Sequence, residues 1–179
     1  MKFLKWSLGI LVLAGIAFVA GGLLLPATTH VERSIVIDRP QADVFRALNS
    51  FQRFNEWSPW FAADPQARYR FEGPKEGVGA RMAWTGNRAV GSGSQAIIES
   101  RAPEEIAVAL DFGGSLARAR YVLASEGPAV TRVTWHFQSD HGFNPLDRWF
   151  GLLFEKMIGG DYERGLARLK SVLEAPPAR

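Results

Sequence analysis

Histidine is the residue type best suited to proton transfer or metal binding near neutral pH, and this chain has three of them. We place His30 in a linker, His136 on the polar face of a strand and His141 in a loop. None of them stands at a metal-ligand spacing such as two histidines one helical turn apart. Cysteine is absent, so thiolate nucleophiles, thiolate metal sites and disulfides are excluded. The sequence therefore predicts solvated histidines, no metal and no cofactor.

Short motifs for other chemistries are better explained by local structure. The glycine- and serine-rich segment at residues 91–94 lacks the lysine of a phosphate-binding loop, and a hairpin turn accounts for it. Serine, histidine and aspartate all occur, but no serine has the glycine spacing of a nucleophile elbow. We therefore predict no set of catalytic residues from motifs.

Aromatic side chains are the larger chemical resource of this sequence, which has six tryptophans, three tyrosines and twelve phenylalanines. Two interpretations stay open for them. Each ring could fill the core, where it would bury about 150–250 Å². As a group, the rings could instead line a pocket in which a few polar residues orient an apolar ligand. The candidate ligand-binding residues are Trp57, Trp60, Phe61, Trp84, Phe112, Tyr121, Trp135, Phe150 and Phe154.

Arginines on the predicted strands are expected to be solvated. They alternate with apolar residues at period two, which places them on the opposite face of the sheet. In that position they cannot clamp a bound acid inside the fold. The residues concerned are Arg68, Arg70, Arg81, Arg118, Arg120 and Arg132.

The charge balance argues against a nucleic-acid partner. The chain has 21 basic and 18 acidic residues and a net charge of +3, without a dense run of lysine or arginine. Nucleic-acid-binding proteins usually concentrate their basic residues on one face. We therefore predict no nucleic-acid partner.

The segment Trp6–Leu25 carries no charge, and as a helix it would span about 30 Å, the thickness of a bilayer's hydrocarbon core. Lys2 and Lys5 precede it, so the positive-inside tendency keeps the N-terminus in the cytoplasm and exports the rest. The first interpretation is an uncleaved single-pass anchor in the cytoplasmic (inner) membrane, with residues 1–26 as the anchor and 27–30 as a linker. The alternative is a cleaved signal peptide and a periplasmic or secreted product, although no small-x-small cleavage site follows.

The remaining chain has the pattern of an antiparallel sheet flanked by helices. A strand at residues 31–38 precedes two short helices at 41–48 and 51–57, the second of which is ended by Ser58-Pro59. Short alternating strands joined by Gly- and Pro-rich turns then continue to Gln138. This is typical of an antiparallel meander with one buried face.

A long amphipathic helix at Pro145–Leu173 is the element around which this sheet is expected to curl. Its apolar residues form two sets at helical spacing, and we expect both sets to face the sheet. The sets are offset at Gly159-Gly160, where a bend or a loosened turn is predicted. The first set is Leu146, Phe150, Leu153 and Met157, and the second is Tyr162, Leu166, Leu169 and Leu173.

Two segments resemble a known superfamily. RSIVIDRPQADVFRALNSFQRFNEWSPW reads as a strand, a proline-containing helix start and a Trp-Ser-Pro-Trp turn, and GGDYERGLARLKSVLE reads as a terminal helix. With the plan of elements, they resemble the START-like helix-grip superfamily, also called SRPBCC, which includes polyketide cyclase/dehydrase-like proteins. The resemblance implies an α+β fold in which a curved antiparallel sheet wraps a C-terminal helix. It also implies a space between them for a lipid, sterol, hormone or aromatic polyketide.

The leading functional hypothesis is a membrane-tethered, non-catalytic binder of a hydrophobic small molecule or lipid, formed by a domain at residues 31–175 with a tail at 176–179. One alternative is a polyketide cyclase-like enzyme that uses the same cavity, with Glu56, Asp111 or Tyr121 as its ionisable group. Another is an envelope interaction module without a pocket, which would show a filled interior and an exposed apolar patch around residues 57–61.

Overall fold

The computed structural model describes residues 2–176, except for the side chains of residues 2–5, 153 and 154. The described chain contains five helices and seven strands. Their bounds are α1 Lys2–Leu24, β1 Thr28–Ile37, α2 Gln41–Leu48, α3 Phe51–Trp57, α4 Pro59–Ala63, β2 Arg68–Glu72, β3 Arg81–Thr85, β4 Ser92–Arg101, β5 Glu105–Asp111, β6 Leu116–Gly127, β7 Val130–Asp140 and α5 Pro145–Glu174.

The seven strands form one antiparallel sheet in the order β1-β7-β6-β5-β4-β3-β2. Strands β2 to β7 follow one another as hairpins, and β1 pairs with β7 from Thr28 opposite Asp140 to Ile37 opposite Thr131. Helix α5 packs across the inner face of this sheet, with α3 and α4 beside it. The predicted α+β helix-grip arrangement is therefore confirmed.

Alternation along the strands separates the core from the solvent, as strand β6 shows. Ala117, Ala119, Tyr121 and Leu123 are buried, whereas the arginines between them, Arg118 and Arg120, are exposed. Successive side chains of a strand point to opposite faces, so this pattern follows directly from the sequence. The other strand arginines singled out above (Arg68, Arg70, Arg81 and Arg132) are exposed as well, as predicted.

The second half of α5 fills the sheet's concavity. Tyr162, Leu166 and Leu169 are 2%, 1% and 0% exposed, so the second apolar set faces the core as predicted. At the end of the helix, Arg39 Nε donates to the carbonyl oxygen of Leu173 at 2.7 Å. This contact satisfies one of the carbonyls that a helix end leaves without an internal partner.

The described side chains of the first apolar set of α5 do not pack on the sheet, and for them that prediction is wrong. Leu146, Phe150 and Met157 are 53%, 63% and 64% exposed. The five-residue offset rotates the stripe by about 140° around the helix axis, because each residue advances by about 100°. The helix nevertheless continues without a break through Gly159-Gly160. It therefore has two apolar faces with different surroundings.

Glycines take the place of apolar side chains where the first half of α5 crosses β1. A Cβ atom at Gly151 would lie 2.8 Å from Thr29 Oγ1 and 2.9 Å from His141 Nε2. A Cβ atom at Gly159 would collide with the guanidinium of Arg33. These glycines therefore allow α5 to approach β1 closely.

Two boundaries differ from the sequence interpretation. Ser58-Pro59 ends α3 but also begins the one-turn helix α4, because Ser58 Oγ accepts a hydrogen bond from Phe61 N at 3.3 Å and proline is tolerated in a first turn. Strand β1 begins at Thr28 rather than at Val31, so His30 lies in the strand and not in a linker.

Helix α1 precedes the sheet and is long and apolar enough, between Trp6 and Leu24, to cross a membrane. Its described side chains are exposed over most of this length. It becomes buried only near its C-terminal end, where Gly22 meets Pro145 at the start of α5. The span is thus attached to the domain at one end.

Candidate functional site

A cavity of about 210 Å³ lies between the middle of α5, strands β3 to β5 and helices α3 and α4. Aromatic and aliphatic side chains make most of its wall. Ala89 in the β3–β4 turn and Met157 on α5 line the cavity and are themselves exposed. The cavity therefore opens to the surface between that turn and the helix.

The strand side of the cavity follows from period-two alternation. Met82 and Trp84 on β3, Leu110 on β5 and Phe112 just after its end point inward and line the wall. The rings of Trp84 and Phe112 meet edge to face, with 5.9 Å between centroids. Gly93 lies opposite Trp84 in the β3–β4 pair, and its lack of a Cβ leaves room for the indole.

The turn at the cavity mouth is held by a buried carboxylate. Asp64 Oδ2 accepts a hydrogen bond from Asn87 N at 2.7 Å. Asn87 Oδ1 in turn accepts from Ala89 N at 2.8 Å and from Val90 N at 3.1 Å. Ala89 and Val90 line the cavity, so this chain of contacts fixes one edge of its opening.

A stack of aromatic rings packs beside the cavity. The ring of Trp135 lies face to face with that of Tyr162, with 3.6 Å between centroids and 14° between planes. Trp57 meets Trp135 edge to face at 5.4 Å, and Tyr121 lies 5.1 Å from Trp135. Tyr162 also lines the cavity, so the stack supports its wall.

Few polar groups reach the cavity. Ser58, Gln95 and Asp161 line it, together with the hydroxyl-bearing residues Tyr69 and Tyr162. Asp161 forms an ion pair with Arg164 on the same helix. Gln95 is 8% exposed, and it carries the one neutral side-chain amide of the cavity wall among the described residues. An amide in this wall can donate a hydrogen bond to a polar group of a ligand or accept one from it.

The tyrosines at the cavity are held in their neutral form. Burial raises the pKa of Tyr162 well above its usual value, and the nearby Tyr121 and Asp161 raise it further. Burial likewise raises the pKa of Tyr121, and burial together with Asp64 raises that of Tyr69. These hydroxyls are hydrogen-bond donors at neutral pH and not anionic bases.

Three of the predicted ligand-binding residues, Trp60, Trp84 and Phe112, line the cavity. Three others, Trp57, Tyr121 and Trp135, are 1%, 5% and 2% exposed and lie in the core that packs beside it.

The last three lie elsewhere. Phe61 is half-buried near the surface, and its ring is 5.9 Å from that of Tyr69. Phe150 is 63% exposed on the far side of α5 from the core. The side chain of Phe154 lies outside the described residues.

The ionisable groups suggested for an enzyme do not line the cavity. Glu56 is exposed and pairs with Arg53 at 3.3 Å. Asp111 accepts a hydrogen bond from Gly114 N in a turn, and Tyr121 is in the core. The ionisable side chains that do line it are Tyr69, Asp161 and Tyr162.

Sequence reasoning missed the polar lining because its signal was weak. Gln95 occupies an inward position of β4 by the same alternation that places Ile97, so its register could have indicated it. Asp161 lies one residue before the predicted apolar position Tyr162, where a helix turns from its core face toward the rim. Neither residue belongs to a recognisable motif.

The histidines are not arranged as a metal site. Among the described residues, no group of three or more His, Asp or Glu side chains could hold a metal ion. His30 is exposed, and His136 Nδ1 lies 3.3 Å from Glu32. His141 is not simply solvated, because its Nε2 forms a 2.8 Å hydrogen bond with Thr29 Oγ1 beneath α5.

An apolar cavity between a curved antiparallel sheet and a long C-terminal helix is the arrangement of the START-like, or SRPBCC, helix-grip proteins. Residues 28–174 match the family model described as polyketide cyclase / dehydrase and lipid transport. The chain belongs to that family. No curated protein matches the sequence significantly.

Solved structures share the fold at low sequence identity. A protein from Nitrosospira multiformis is 19% identical with a TM-score of 0.60, and the match covers 82% of this chain and 97% of that one. A START superfamily protein from Mycobacterium smegmatis is 13% identical with a TM-score of 0.59, covering 82% and 97%. The di-domain ARO/CYC protein BexL from the BE-7585A biosynthetic pathway is 13% identical with a TM-score of 0.60, covering 84% and 52%. At these identities, the likeness shows the fold alone.

Proposed function

We propose that this protein binds a hydrophobic small molecule or lipid in the cavity between its sheet and α5, while α1 anchors it in a membrane. The observation that carries the proposal is the cavity itself, which is open at Ala89 and Met157 and walled by apolar side chains such as Trp84 and Phe112. An apolar concave site with a few convergent polar groups is the usual form of a small-molecule pocket.

The dimensions of the cavity limit the ligand. Its volume of about 210 Å³ is below the ~300–1,000 Å³ of typical ligand pockets. A single short acyl chain or a small ring system suits it better than a whole membrane lipid. The amide of Gln95 in the cavity wall favours a ligand with one hydroxyl or carbonyl group, because it can form a hydrogen bond with such a group.

The length and hydropathy of α1 support the proposed anchoring. A span of 19 apolar residues matches the hydrocarbon core of a bilayer. Lys2 and Lys5 precede it and favour an N-terminus in the cytoplasm, with the sheet on the opposite side. Fractionation of the full chain with membranes, resistant to high salt and alkali, would test the anchor separately from the ligand.

Binding is tested with the full chain in nanodiscs and the apolar fluorescent probe N-phenyl-1-naphthylamine. Ala89→Trp places an indole at the mouth of the cavity. Ala83→Trp, the control, places one on the exposed outer face of β3. We expect saturable probe binding above that of empty nanodiscs, lost in Ala89→Trp and kept in Ala83→Trp. No saturable component, or equal binding by both variants, would reject the proposal.

Asp161 supports a second candidate, a cyclase-like or dehydrase-like enzyme. Its carboxylate lines the cavity next to the neutral Tyr162, so an acid–base group and a hydrogen-bond donor face the same space. Mass spectrometry of organic extracts from the purified full chain and from Asp161→Asn separates the two functions. If the protein is an enzyme, the extract of the parent should contain a cyclised or dehydrated form of a compound that the extract of Asp161→Asn contains unchanged. If it is a binder, both extracts should contain the same compound.

The third hypothesis, an interaction module without a pocket, is not supported. Its expected apolar patch at residues 57–61 is absent, because Trp57 is 1% exposed and Trp60 packs against Phe54 and Trp135. The large exposed apolar surface of the domain lies instead on the first half of α5.

A further inference from the structure

The first half of α5 presents an apolar face to the outside of the domain. Leu146, Phe150 and Met157 are 53%, 63% and 64% exposed, and they lie within about 40° of one another around the helix. Phe143, in the loop just before the helix, is 88% exposed. We call these four residues the α5 stripe. Exposed apolar patches of this kind mark contacts with proteins or membranes.

Contacts with α1 fix where this stripe lies relative to the span. The ring of Trp149 stacks on that of Phe18 at 5.6 Å, and its indole N–H donates to the carbonyl oxygen of Phe18 at 3.0 Å. Pro145 packs against Gly22, where any side chain would collide with it. The start of α5 is thus seated on the last two turns of α1.

Arg148 locks this junction. Its Nη1 donates to the carbonyl oxygens of Leu23 at 2.7 Å and Leu25 at 3.1 Å, where α1 ends. Its Nε and Nη2 donate to Gly142 O at 2.8 and 2.6 Å. The residue is only 9% exposed. A cation at the negative end of α1 is favourable, and it ties the span to the loop that begins α5.

The depth of the contact follows from helix geometry. Phe18 lies six residues before Leu24, which is about 9 Å along the helix axis. If α1 spans a bilayer as far as Leu24, Trp149 must therefore lie below the end of the span. Amphipathic helices that lie in a membrane interface bury their apolar faces about 5–10 Å deep. The start of α5 is held at that depth by its own contacts.

We infer that the α5 stripe lies in the outer interface of the bilayer that α1 spans, and that the mouth of the cavity opens onto lipid. The inference rests on the proposed anchoring through α1 and goes beyond it by assigning a second membrane-contacting surface. Met157 belongs both to the stripe and to the cavity rim, so an apolar path leads from the bilayer to the cavity. A hydrophobic ligand then enters without crossing water.

The contacts between α5 and α1 favour lipid over a second copy or another protein as the partner of the α5 stripe. A second copy or a protein partner would have to cover the stripe within a layer that α1 already places in lipid. The buried face of the helix, which includes Gly151 and Ile158, lies on its other side and packs on the domain. The stripe is therefore the face of this helix that we place against the bilayer.

The absence of cysteine makes the test direct. Single-cysteine variants of the full chain are labelled with a nitrobenzoxadiazole fluorophore in nanodiscs of phosphatidylethanolamine and phosphatidylglycerol, with or without brominated lipid. Phe150→Cys and Met157→Cys test the stripe. Val12→Cys, exposed on α1, reports the span, and Ala167→Cys, exposed on the second half of α5, is the aqueous control.

We expect brominated lipid to quench the labels at positions 150 and 157, and we expect the label at 167 to keep its emission. Quenching at 12 without quenching at 150 and 157 would overturn the inference while leaving the anchor in place. Labels at 150 and 157 that are shielded from water but not quenched would also overturn it, because a second copy or another protein would then cover the stripe. Loss of quenching at position 12 as well would reject the anchor itself.

Discussion

The indole of Trp135 on β7 and the phenol of Tyr162 on α5 are stacked face to face, with 3.6 Å between their centroids. This contact sets the distance between the sheet and the helix at the side of the cavity. It needs a small residue in the next turn, because a Cβ atom at Gly165 would lie 3.0 Å from Trp135 Cζ3 and 3.2 Å from Pro59 Cδ. The close packing of the helix on the sheet therefore depends on the Trp135–Tyr162 pair and on Gly165.

Replacement of Gly165 by alanine is expected to destabilise the domain. The added methyl group must displace a buried indole or a proline ring, and such overpacking costs about 1–3 kcal/mol. Thermal unfolding followed by near-ultraviolet circular dichroism would show a lower midpoint.

Gly160→Ala is the matched control in the same helix. Its Cβ would meet only the flexible end of Arg164, at 3.4 Å. Alanine favours the helix over glycine by about 0.5–1 kcal/mol, so this variant should be as stable as the parent or more so. Equal midpoints for the two variants would show that the stack does not set the helix position.

The sequence pattern predicts which residues alternate or recur, but not what surrounds them. Alternation placed Met82, Trp84 and Phe112 on the inner face, and all three line the cavity. Helical periodicity placed Phe150 toward the sheet, whereas it is exposed, because an apolar helix face packed on a sheet and one left outside have the same spacing.

The partner of each face depends on contacts far apart in the chain. Nothing near Trp149 in sequence indicates that its indole meets Phe18, and nothing near Arg148 indicates that it caps α1. Whether an aromatic ring lines the cavity or supports it was equally hidden, since Trp84 and Trp135 both occupy inward positions of their strands.

The junction between α1 and the domain should depend on Arg148. Arg148→Met removes the hydrogen bonds to Leu23, Leu25 and Gly142, and contacts made by a charged donor contribute about 1.5–3 kcal/mol each. We expect faster proteolysis between residues 25 and 28 and faster amide exchange at the end of α1, measured by mass spectrometry on the full chain in nanodiscs.

Arg168→Met, an exposed position on the same helix, is the control for Arg148 and should leave both rates unchanged. Arg148→Lys keeps the charge but cannot reach every carbonyl at once, and an intermediate rate is expected. A parent-like rate for Arg148→Met would show that the contact of Trp149 with Phe18 alone holds the junction.

Glu174 should make the stability of the domain dependent on pH in the acid range. Its Oε1 accepts hydrogen bonds from Asp38 N at 2.6 Å and from Lys170 Nζ at 2.7 Å, and these contacts lower the pKa of the carboxyl below its usual 4.5. A depressed folded pKa stabilises the fold above the unfolded pKa, and the gain is lost as the pH falls through the folded pKa.

Glu174→Gln should therefore unfold at a lower temperature than the parent at pH 7, and the two midpoints should converge below pH 4.5, the usual value for glutamate. The difference will be small because the side chain is partly exposed and solvent screens its interactions. Glu163→Gln, whose carboxylate is 63% exposed beside Arg33, is the control. A difference that persists unchanged into strong acid would rule out the carboxylate as its origin.

A substitution of Gln95 should affect ligand recognition without lowering the stability of the domain. Gln95→Leu replaces the side-chain amide by an apolar group of similar size in a wall that is mostly apolar. We therefore expect the domain to keep or gain stability. Recognition of a polar group should be lost, since no other neutral amide lines the cavity among the described residues.

Displacement of N-phenyl-1-naphthylamine by 1-octanol and by n-octane measures this recognition, because the two competitors differ only in a hydroxyl group. In the parent, 1-octanol should compete more strongly than its hydrophobicity alone explains, and Gln95→Leu should remove that advantage while n-octane competes as before. If the variant weakens both competitors equally, the effect comes from a change in cavity shape, and the amide does not orient the ligand. A stable variant that still prefers 1-octanol would show that Ser58 or Asp161, which also line the cavity, recognises the hydroxyl group.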